Sequence, residues 1–256
     1  MLWDIKIKRQ HFESEGYVKF ESLLNQSEVV IYLSLCEDLL SGKIETGKNR
    51  SDLGADLGLS KNVENITQIM WPSDFIPGIL DMQYHQASLM LVKELLGNDM
   101  EMDFDMVINK APNTNTITPW HQDAAYWVDL PDKRAISCWL ALDEATLENG
   151  CMWYTPKSHL LPIRPHRFAG KEGGALVCEG SESESIHVPL KPGSCAMHGG
   201  NTLHYSRGNN TNGNRRAWII NFRPKEMIDL ERSKGFDHGR SGHAQARKIR
   251  NNLAKS

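Results

Sequence analysis

The chain has few cysteines, and none of them lies close to another. With 5 in 256 residues and no Cys-x-x-Cys unit, neither a disulfide framework nor a zinc ribbon is expected, and a reducing cytoplasm fits best. The five are Cys36, Cys138, Cys151, Cys178 and Cys195. No stretch approaches the roughly 20 apolar residues that a membrane helix needs, and Met1–Lys6 does not resemble the start of a signal peptide. We therefore expect a cytoplasmic protein without a membrane partner.

An excess of positive charge and the common nucleotide-binding motifs are also missing. The formal net charge is -3, so no broad basic surface is expected and nucleic acid is not an expected partner. Neither a P-loop nor a Gly-x-Gly-x-x-Gly turn opening a helix occurs, and no Ser-His-Asp arrangement can be read from the chain. A length of 256 residues suits one large β domain, so we expect a single domain over residues 1–256.

The first 100 residues have the patterns of helices and loops. Tyr17–Phe20 is predicted to be a short strand, and Asn25 with Glu28 predicts a capping box before a helix that runs to about Leu40. Residues 41–64 are rich in Gly, Asn, Asp and Ser, which predicts a long loop. This segment could be a lid over a site or a plain surface loop, and the sequence favours neither.

A second helix is predicted from near Pro77 to Leu96, and Gly97 is its stop signal. Its apolar stripe is expected to face the core rather than a cofactor. The stripe comprises Leu80, Ala87, Leu91 and Leu95.

From residue 101 the hydrophobic period changes to two, which predicts strands. The first is expected to be half-buried through Met102, Phe104, Met106 and Ile108. Further strands are predicted at Ala135–Leu142, Cys151–Thr155, Ile186–Pro189, Ser194–His198 and Arg215–Arg223, with residues 163–184 as an insertion.

Many short strands after helices predict a mainly β fold with flanking α-helices, a double-stranded β-helix (jelly roll, cupin-like). Its helical N-terminal part would cover about residues 1–100, its jelly-roll core about 101–224, and its polar C-terminal segment 225–256. Within that last segment, Gly235–Arg240 is expected to be a solvated tail rather than a cover for the mouth of a site.

The segment Trp120-His121-Gln122-Asp123 contains the motif with the clearest chemistry. Side chains two apart on a strand point the same way, so His121 and Asp123 can bind one metal ion from one strand. Two imidazoles and one carboxylate form the facial triad of non-haem Fe(II) oxygenases, and the second histidine must come from elsewhere. One acid two places after a histidine is common by chance, as in His11-Phe12-Glu13, so the surrounding sequence has to decide.

Three further segments follow in the chain: Glu148-Asn149-Gly150-Cys151-Met152, Thr155-Pro156-Lys157-Ser158-His159, and His204-x-Ser206-x-x-Asn209-x-Thr211-x-x-x-Arg215. With Trp120–Asp123, their order and spacing resemble the phytanoyl-CoA dioxygenase family of Fe(II)/2-oxoglutarate oxygenases. The one visible departure is Pro156-Lys157-Ser158-His159, where that family has a Pro-Gly-Ser-His turn.

The resemblance implies an enzyme that hydroxylates a small molecule while 2-oxoglutarate and O2 become succinate and CO2. It places Fe(II) on His121, Asp123 and His204, and the spacing to Arg215 favours His204 over its rival His198. By the same likeness Arg215 pairs with the far carboxylate of 2-oxoglutarate, and Ser206 assists. Trp139 is either a neighbour of the co-substrate or a core residue. Related halogenases lack the carboxylate, so Asp123 favours hydroxylation.

The primary substrate is not identified by the sequence. Tyr126 and Trp127 follow the metal-binding motif and are expected to line the pocket, and Arg223 could meet an anionic group, as could Arg134 and Arg164. A small polar or anionic molecule is therefore favoured. Two alternatives remain open: a non-catalytic jelly-roll protein that binds a small ligand, and a zinc-dependent hydrolase or isomerase on the same ligands. The oligomeric state cannot be read from the sequence.

Overall fold

The computed structural model describes residues 3–55, 63–169 and 175–241, and within these ranges it contains four α-helices and thirteen β-strands. The helices are α1 (Ile5–Glu15), α2 (Gln26–Leu40), α3 (Gln83–Leu96) and α4 (Lys225–Ser233). The strands are β1 (Tyr17–Phe20), β2 (Arg50–Asp52), β3 (Ile66–Met70), β4 (Met100–Lys110), β5 (Thr118–His121), β6 (Ile136–Ala141), β7 (Met152–Tyr154), β8 (Arg167–Phe168), β9 (Leu176–Val177), β10 (Ile186–Val188), β11 (Cys195–Gly199), β12 (His204–Ser206) and β13 (Arg215–Pro224).

Two antiparallel sheets form the jelly roll. Among the described residues, the larger sheet has the strand order β1-β11-β6-β13-β4-β3-β2 and the smaller one the order β10-β7-β12-β5. The mainly β fold class with flanking helices is therefore confirmed. The described residues include no helix with the length and apolar character needed to cross a membrane. The single-domain organisation stays a prediction.

The helices before the sheets differ in how well the sequence predicts them. Strand β1 and the capping box of Asn25 and Glu28 at the start of α2 are confirmed. Helix α1 was not predicted, because its sequence is charged and Phe12 is its buried residue. Asp4 caps it by accepting from the backbone N–H of Ile7, and Gly16 ends it in the left-handed region with φ of 84°.

Helix α3 begins later than the sequence predicts. Gly78 has a positive φ and Met82 is extended, so residues 79–81 form a separate 3₁₀ turn before the helix starts at Gln83. Leu80 is consequently exposed, and its place in the predicted stripe is wrong, whereas Ala87, Leu91 and Leu95 are buried as expected.

Strands β4 and β13 pair along the middle of the larger sheet, and both of their faces are covered. On β13, Trp218 and Ile220 join the core under the helices, while Ala217 and Ile219 join the core between the sheets, so the predicted alternation is confirmed. The half-buried character predicted for β4 is wrong. Its Asp103 and Asp105 are almost fully buried, because the face opposite Phe104 is also covered.

Three segments predicted to be irregular have more structure than expected. Residues 41–64 contain a 3₁₀ turn at Gly47–Asn49 and strand β2, while residues 56–62 lie outside the described residues. The predicted insertion at 163–184 contains β8 and β9, and β9 leads into Cys178, whose N–H donates to the Trp120 carbonyl at 2.9 Å. The solvated tail predicted for Gly235–Arg240 is wrong, since Phe236 and His238 are buried.

Candidate metal centre

His121, Asp123 and His204 come together where strands β5 and β12 pair. His121 is the last residue of β5 and lies opposite His204, the first residue of β12, so the two rings lie with centroids 4.1 Å apart. Asp123 Oδ1 lies 3.5 Å from His121 Nε2 and 3.6 Å from His204 Nε2. Asp123 is not on the strand, as the spacing argument assumed, but begins a 3₁₀ turn at Asp123–Tyr126. That turn still brings the carboxylate back to the imidazole.

Backbone carbonyls orient both imidazoles. His121 Nδ1 lies 2.7 Å from the carbonyl of Pro119, and His204 Nδ1 lies 2.8 Å from that of Thr202. A carbonyl oxygen can only accept, so each Nδ1 carries the proton and each Nε2 presents a lone pair to the same small volume. This is the usual arrangement of metal-binding histidines, whose second nitrogen is held by an acceptor.

The other oxygen of Asp123 is held by two donors. Ser137 Oγ donates to Asp123 Oδ2 at 2.7 Å, and His198 Nε2 lies 3.2 Å from the same atom. The Tyr154 hydroxyl lies 3.3 Å from His198 Nδ1, on the opposite side of that ring. His198, the rival in the sequence for the distal ligand, therefore orients the carboxylate, and Oδ1 remains directed at His121 and His204.

Burial determines the charges of this group. Burial raises the pKa of Asp123, but His204, His121 and His198 together hold it well below its ordinary value, so the carboxylate is ionised. Burial and the two neighbouring imidazoles hold the pKa of His204 well below its usual range. At neutral pH the site thus offers the carboxylate of Asp123 and a neutral imidazole on His204, which are the protonation states that a metal ligand needs.

The donor set fits a ferrous ion. One oxygen and two nitrogens lie within 4.8 Å of one another, at buried or half-buried positions, and could hold a metal. Two imidazoles and one carboxylate on one side, with the other side open, suit non-haem iron. A second trio, Asp103, Glu231 and His238, is equally close, but Arg223 and Arg232 already neutralise its carboxylates, so a cation would meet repulsion there.

If His198 orients Asp123, removing it should weaken metal binding without abolishing it. We expect His198→Leu to lower Fe(II) affinity about 10- to 100-fold, the usual effect of losing a hydrogen-bond partner behind a ligand. Anaerobic Fe(II) titration measures this, with His187→Leu as the matched control because His187 is exposed. An unchanged affinity would exclude the orienting role, and a loss as complete as that of His204→Ala would make His198 a ligand.

Arg215 lies in the core between the sheets with no acid against it. It is 1% exposed, and its Nε and Nη1 have no hydrogen-bond partner among the described residues. Its guanidinium lies over the Trp139 ring, 5.1 Å from the centroid, and Ala217 follows on the same face of β13. Burial lowers the pKa of Arg215 to about 10, so it is still charged at neutral pH.

A buried cation with unpaired donors is costly unless a ligand supplies the anion. Lys110, the partner of Arg215 across β4 and β13, is also buried, and its ammonium donates to the carbonyls of Thr116 at 3.0 Å and Arg207 at 2.7 Å. Ser206 lies on β12 two residues from His204 and is buried as well. Arg215 thus offers a buried guanidinium that could pair with the carboxylate of a ligand.

A cavity of about 200 Å³ opens beside the candidate metal centre. His121 and Asp123 form part of its wall, and Tyr126 and Trp127 line it, as predicted from their position in the sequence. The three arginines proposed for an anionic substrate are engaged elsewhere. Arg134 pairs with Asp99 and Asp132, Arg164 pairs with Glu184, and Arg223 pairs with Asp103 and Glu231.

The segment after α4 forms another wall of the cavity. Phe236 and His238 line it, and the His238 ring stacks on Phe104 with centroids 4.1 Å apart. His238 Nε2 lies 3.1 Å from Asp103 Oδ2 and 2.6 Å from Glu231 Oε1, so ion pairs hold the segment in place. Sequence reasoning missed these residues, because polar composition usually indicates a solvated tail.

This anchoring predicts a pH dependence of stability. Burial lowers the pKa of His238, but Asp103 and Glu231 raise it above its ordinary value. The stabilisation is therefore complete below the unfolded histidine pKa of about 6.5 and is lost as the pH rises through the raised value. We expect the thermal midpoint to fall as the pH rises above about 6.5 and through that raised pKa, and His238→Gln to remove most of that fall. His187→Gln should keep the wild-type slope, and identical slopes in all three proteins would contradict the anchoring role.

Comparisons with known proteins identify the family of this chain. The model of the phytanoyl-CoA dioxygenase (PhyH) family matches residues 12–217. A probable phytanoyl-CoA dioxygenase of Caenorhabditis elegans is 26% identical over 227 residues, which cover 82% of this chain and 72% of the relative.

Two solved structures have the same fold. EvdO2 of Micromonospora carbonacea var. aurantiaca, complexed with 2-oxoglutarate, is similar with a TM-score of 0.70 and 25% identity over 87% of this chain and 91% of that one. The epimerase SnoN, in complex with Fe3+, alpha ketoglutarate and nogalamycin RO, has a TM-score of 0.68 and 23% identity over 85% and 82% of the two chains.

Proposed function

The chain belongs to the phytanoyl-CoA dioxygenase family, and we propose that it hydroxylates a small molecule, using Fe(II), 2-oxoglutarate and O2. One oxygen atom of O2 would enter the product as a hydroxyl group and the other would enter succinate as 2-oxoglutarate loses CO2. The family match and the His-Asp-His group support the broader class, an iron- and 2-oxoglutarate-dependent oxygenase. Hydroxylation is the finer proposal, since one structural relative is an epimerase.

Each residue of the site has a proposed task. His121, Asp123 and His204 would hold Fe(II). When it is bound there, the iron would supply the redox chemistry that activates O2. Arg215 would pair with the far carboxylate of 2-oxoglutarate, with Ser206 and Trp139 completing the recess around it. Tyr126 and Trp127 would contact the primary substrate and exclude water from it. For Arg223 we propose a supporting role through its ion pairs and its guanidinium over Trp127, 4.3 Å from the ring centroid.

One observation carries the proposal: the interior that holds the carboxylate and two imidazoles also holds a buried arginine whose Nε and Nη1 have no hydrogen-bond partner among the described residues. A zinc hydrolase has no need of such an arginine, because water and substrate occupy its open metal positions. A dicarboxylic co-substrate that binds the metal at one end and a guanidinium at the other accounts for both features. The presence of Asp123 also leaves no ligand position for a halide, which favours hydroxylation over halogenation.

Anaerobic titration of the metal-free protein with Fe(II) and then 2-oxoglutarate tests this proposal. We expect the weak visible charge-transfer band of the chelate, and its loss in His204→Ala and Arg215→Ala. Fe(II) binding without the band would favour the non-catalytic small-ligand protein, and activity with zinc in the absence of O2 would favour the hydrolase or isomerase. After a substrate screen scored by succinate release, ¹⁸O2 labelling of the product separates hydroxylation from epimerisation.

A further inference from the structure

Asn221 connects the substrate cavity to the carboxylate of Asp123. It lies on β13 directly opposite Ser137 of β6, and its Nδ2 donates to Ser137 Oγ at 2.7 Å. Ser137 in turn donates to Asp123 Oδ2. Asn221 is also part of the cavity wall, and it is 1% exposed.

The direction of this chain of hydrogen bonds fixes the orientation of the amide. An ionised carboxylate can only accept, so the single hydroxyl proton of Ser137 must go to Asp123. Ser137 Oγ has no second proton to donate, so it must be the acceptor in its hydrogen bond with Asn221. The NH2 group of Asn221 therefore faces Ser137. The other polar atom of the amide, Asn221 Oδ1, is buried and has no hydrogen-bond partner among the described residues.

A buried carbonyl oxygen without a partner costs free energy that a ligand donor would recover. Two other polar side chains of the cavity wall already have partners. Gln68 Nε2 contacts the Met106 sulfur at 3.2 Å, and His238 is held by Asp103 and Glu231. Asn221 Oδ1 is thus an unpaired acceptor on a side chain that lines the cavity, and the same side chain is linked through Ser137 to the carboxylate of Asp123.

The rest of the described lining is mostly apolar, and it contains no lysine or arginine. Met70, Phe104, Ile108 and Leu176 contribute to it, and Ile117 and Phe168 lie at exposed positions of the same wall. The two positive charges of Fe(II) would be balanced by Asp123 and by one carboxylate of 2-oxoglutarate, so the metal would add little attraction for another anion. An anionic group would lose its hydration here without gaining a partner.

We infer that the primary substrate is a neutral, largely apolar small molecule with an O–H or N–H group that donates to Asn221 Oδ1. This inference rests on the proposed function, because it takes the cavity beside the metal-binding residues as the substrate site. Asn221 then determines specificity, since a substrate without the donor leaves its carbonyl unpaired. The polar or anionic substrate favoured from the sequence is replaced by a neutral one with a single polar contact.

Three fluorinated probes test the inference without turnover. The probes are 4-fluorobenzyl alcohol, its methyl ether and 4-fluorobenzoate, and their dissociation constants are measured by ¹⁹F NMR. The protein carries Zn(II) with saturating 2-oxoglutarate, so that the benzoate cannot occupy the recess at Arg215. We expect the alcohol to bind about 2- to 10-fold more tightly than the ether, the range for one added hydrogen bond, and the benzoate to bind most weakly.

Substitutions test whether the preference for the alcohol depends on Asn221 and whether the probes bind in the cavity. Asn221→Leu should remove the advantage of the alcohol while the ether binds as before. Ile117→Trp should weaken both neutral probes by narrowing the cavity, whereas Leu160→Trp is the matched control, because Leu160 is exposed and is not part of the described lining. In the wild-type protein, equal binding of alcohol and ether, or tightest binding of the benzoate, would overturn the inference.

The same titrations without Zn(II) and 2-oxoglutarate separate this inference from the proposed function. The alcohol should still bind more tightly than the ether there, because the amide orientation depends on Ser137 and Asp123. If the iron chelate band is absent but the preference for the alcohol persists, the proposed function fails and the neutral binding site remains. If the band forms but the preference is missing, the oxygenase remains and the substrate class is wrong.

Discussion

Replacing Asp123 by alanine is expected to abolish Fe(II) binding and 2-oxoglutarate turnover together. The carboxylate is the charged member of the proposed triad, and its Oδ1 is the atom directed at His121 and His204. Without it, two imidazoles and no carboxylate remain, which are a weak site for a hard divalent ion. Anaerobic Fe(II) titration and succinate release measure the two effects, and retained hydroxylation in this variant would refute the ligand role of Asp123.

The controls for this variant have to separate ligation from folding. Asp123→Ala leaves the donors of Ser137 and His198 without their acceptor, so its thermal midpoint must be compared with that of the wild type. Asp123→Asn keeps the shape and an acceptor for Ser137 but removes the charge, and it should also lose iron. Asp129→Ala removes an exposed carboxylate six residues away and should leave iron binding unchanged.

The proximity of His121 and Asp123 could be predicted because their spacing tolerates more than one local structure. The argument from strand alternation placed His121 and Asp123 on one strand, whereas the strand ends at His121 and a 3₁₀ turn returns the carboxylate. Side chains two residues apart can approach each other on a continuous strand and also at a strand end that is followed by such a turn. The choice of His204 over His198 depended on the likeness to a family, and the register of β5 with β12 places His204 opposite His121.

The long strands β4 and β13 were predicted as strands, since alternation over ten or eleven residues leaves little ambiguity, although the burial of the second face of β4 was missed. The two faces of β13 follow the pattern of the sequence, with Trp218 under the helices and Ala217 between the sheets. Arg215 could be placed on the interior face by the same period, and its lack of an acid partner became visible only in the structure.

The prediction of a solvated tail at Gly235–Arg240 was wrong because residues distant in the sequence determine the burial of that segment. Phe236 and His238 are buried because Asp103, far away in the sequence, provides the charge that holds His238 against the cavity. No local pattern could indicate that pairing. The role of Asn221 is of the same kind, since it requires Ser137 to lie opposite on a neighbouring strand and to donate onward to Asp123.

Replacing Arg215 by alanine is expected to raise the KM for 2-oxoglutarate by about a hundredfold or more. The side chain is buried and unpaired, so in the proposed complex its removal leaves a buried carboxylate without its counter-ion, a loss of roughly 3–5 kcal/mol. The effect should fall on KM more than on kcat, because the far carboxylate is bound equally in the ground state and the transition state. Steady-state succinate release over a range of 2-oxoglutarate concentrations measures it.

The neighbouring Arg216 is the matched control. It points to the opposite face of β13, where it pairs with Asp143 and Glu37, so Arg216→Ala should leave the KM for 2-oxoglutarate near the wild-type value. Arg215→Lys keeps the charge but loses the two-pronged contact, so an intermediate KM is expected. An unchanged KM in Arg215→Ala would mean that another cation anchors the co-substrate. Lys110 is then the next candidate, because it is the other buried cation beside the recess, and Lys110→Met should raise the KM in its place.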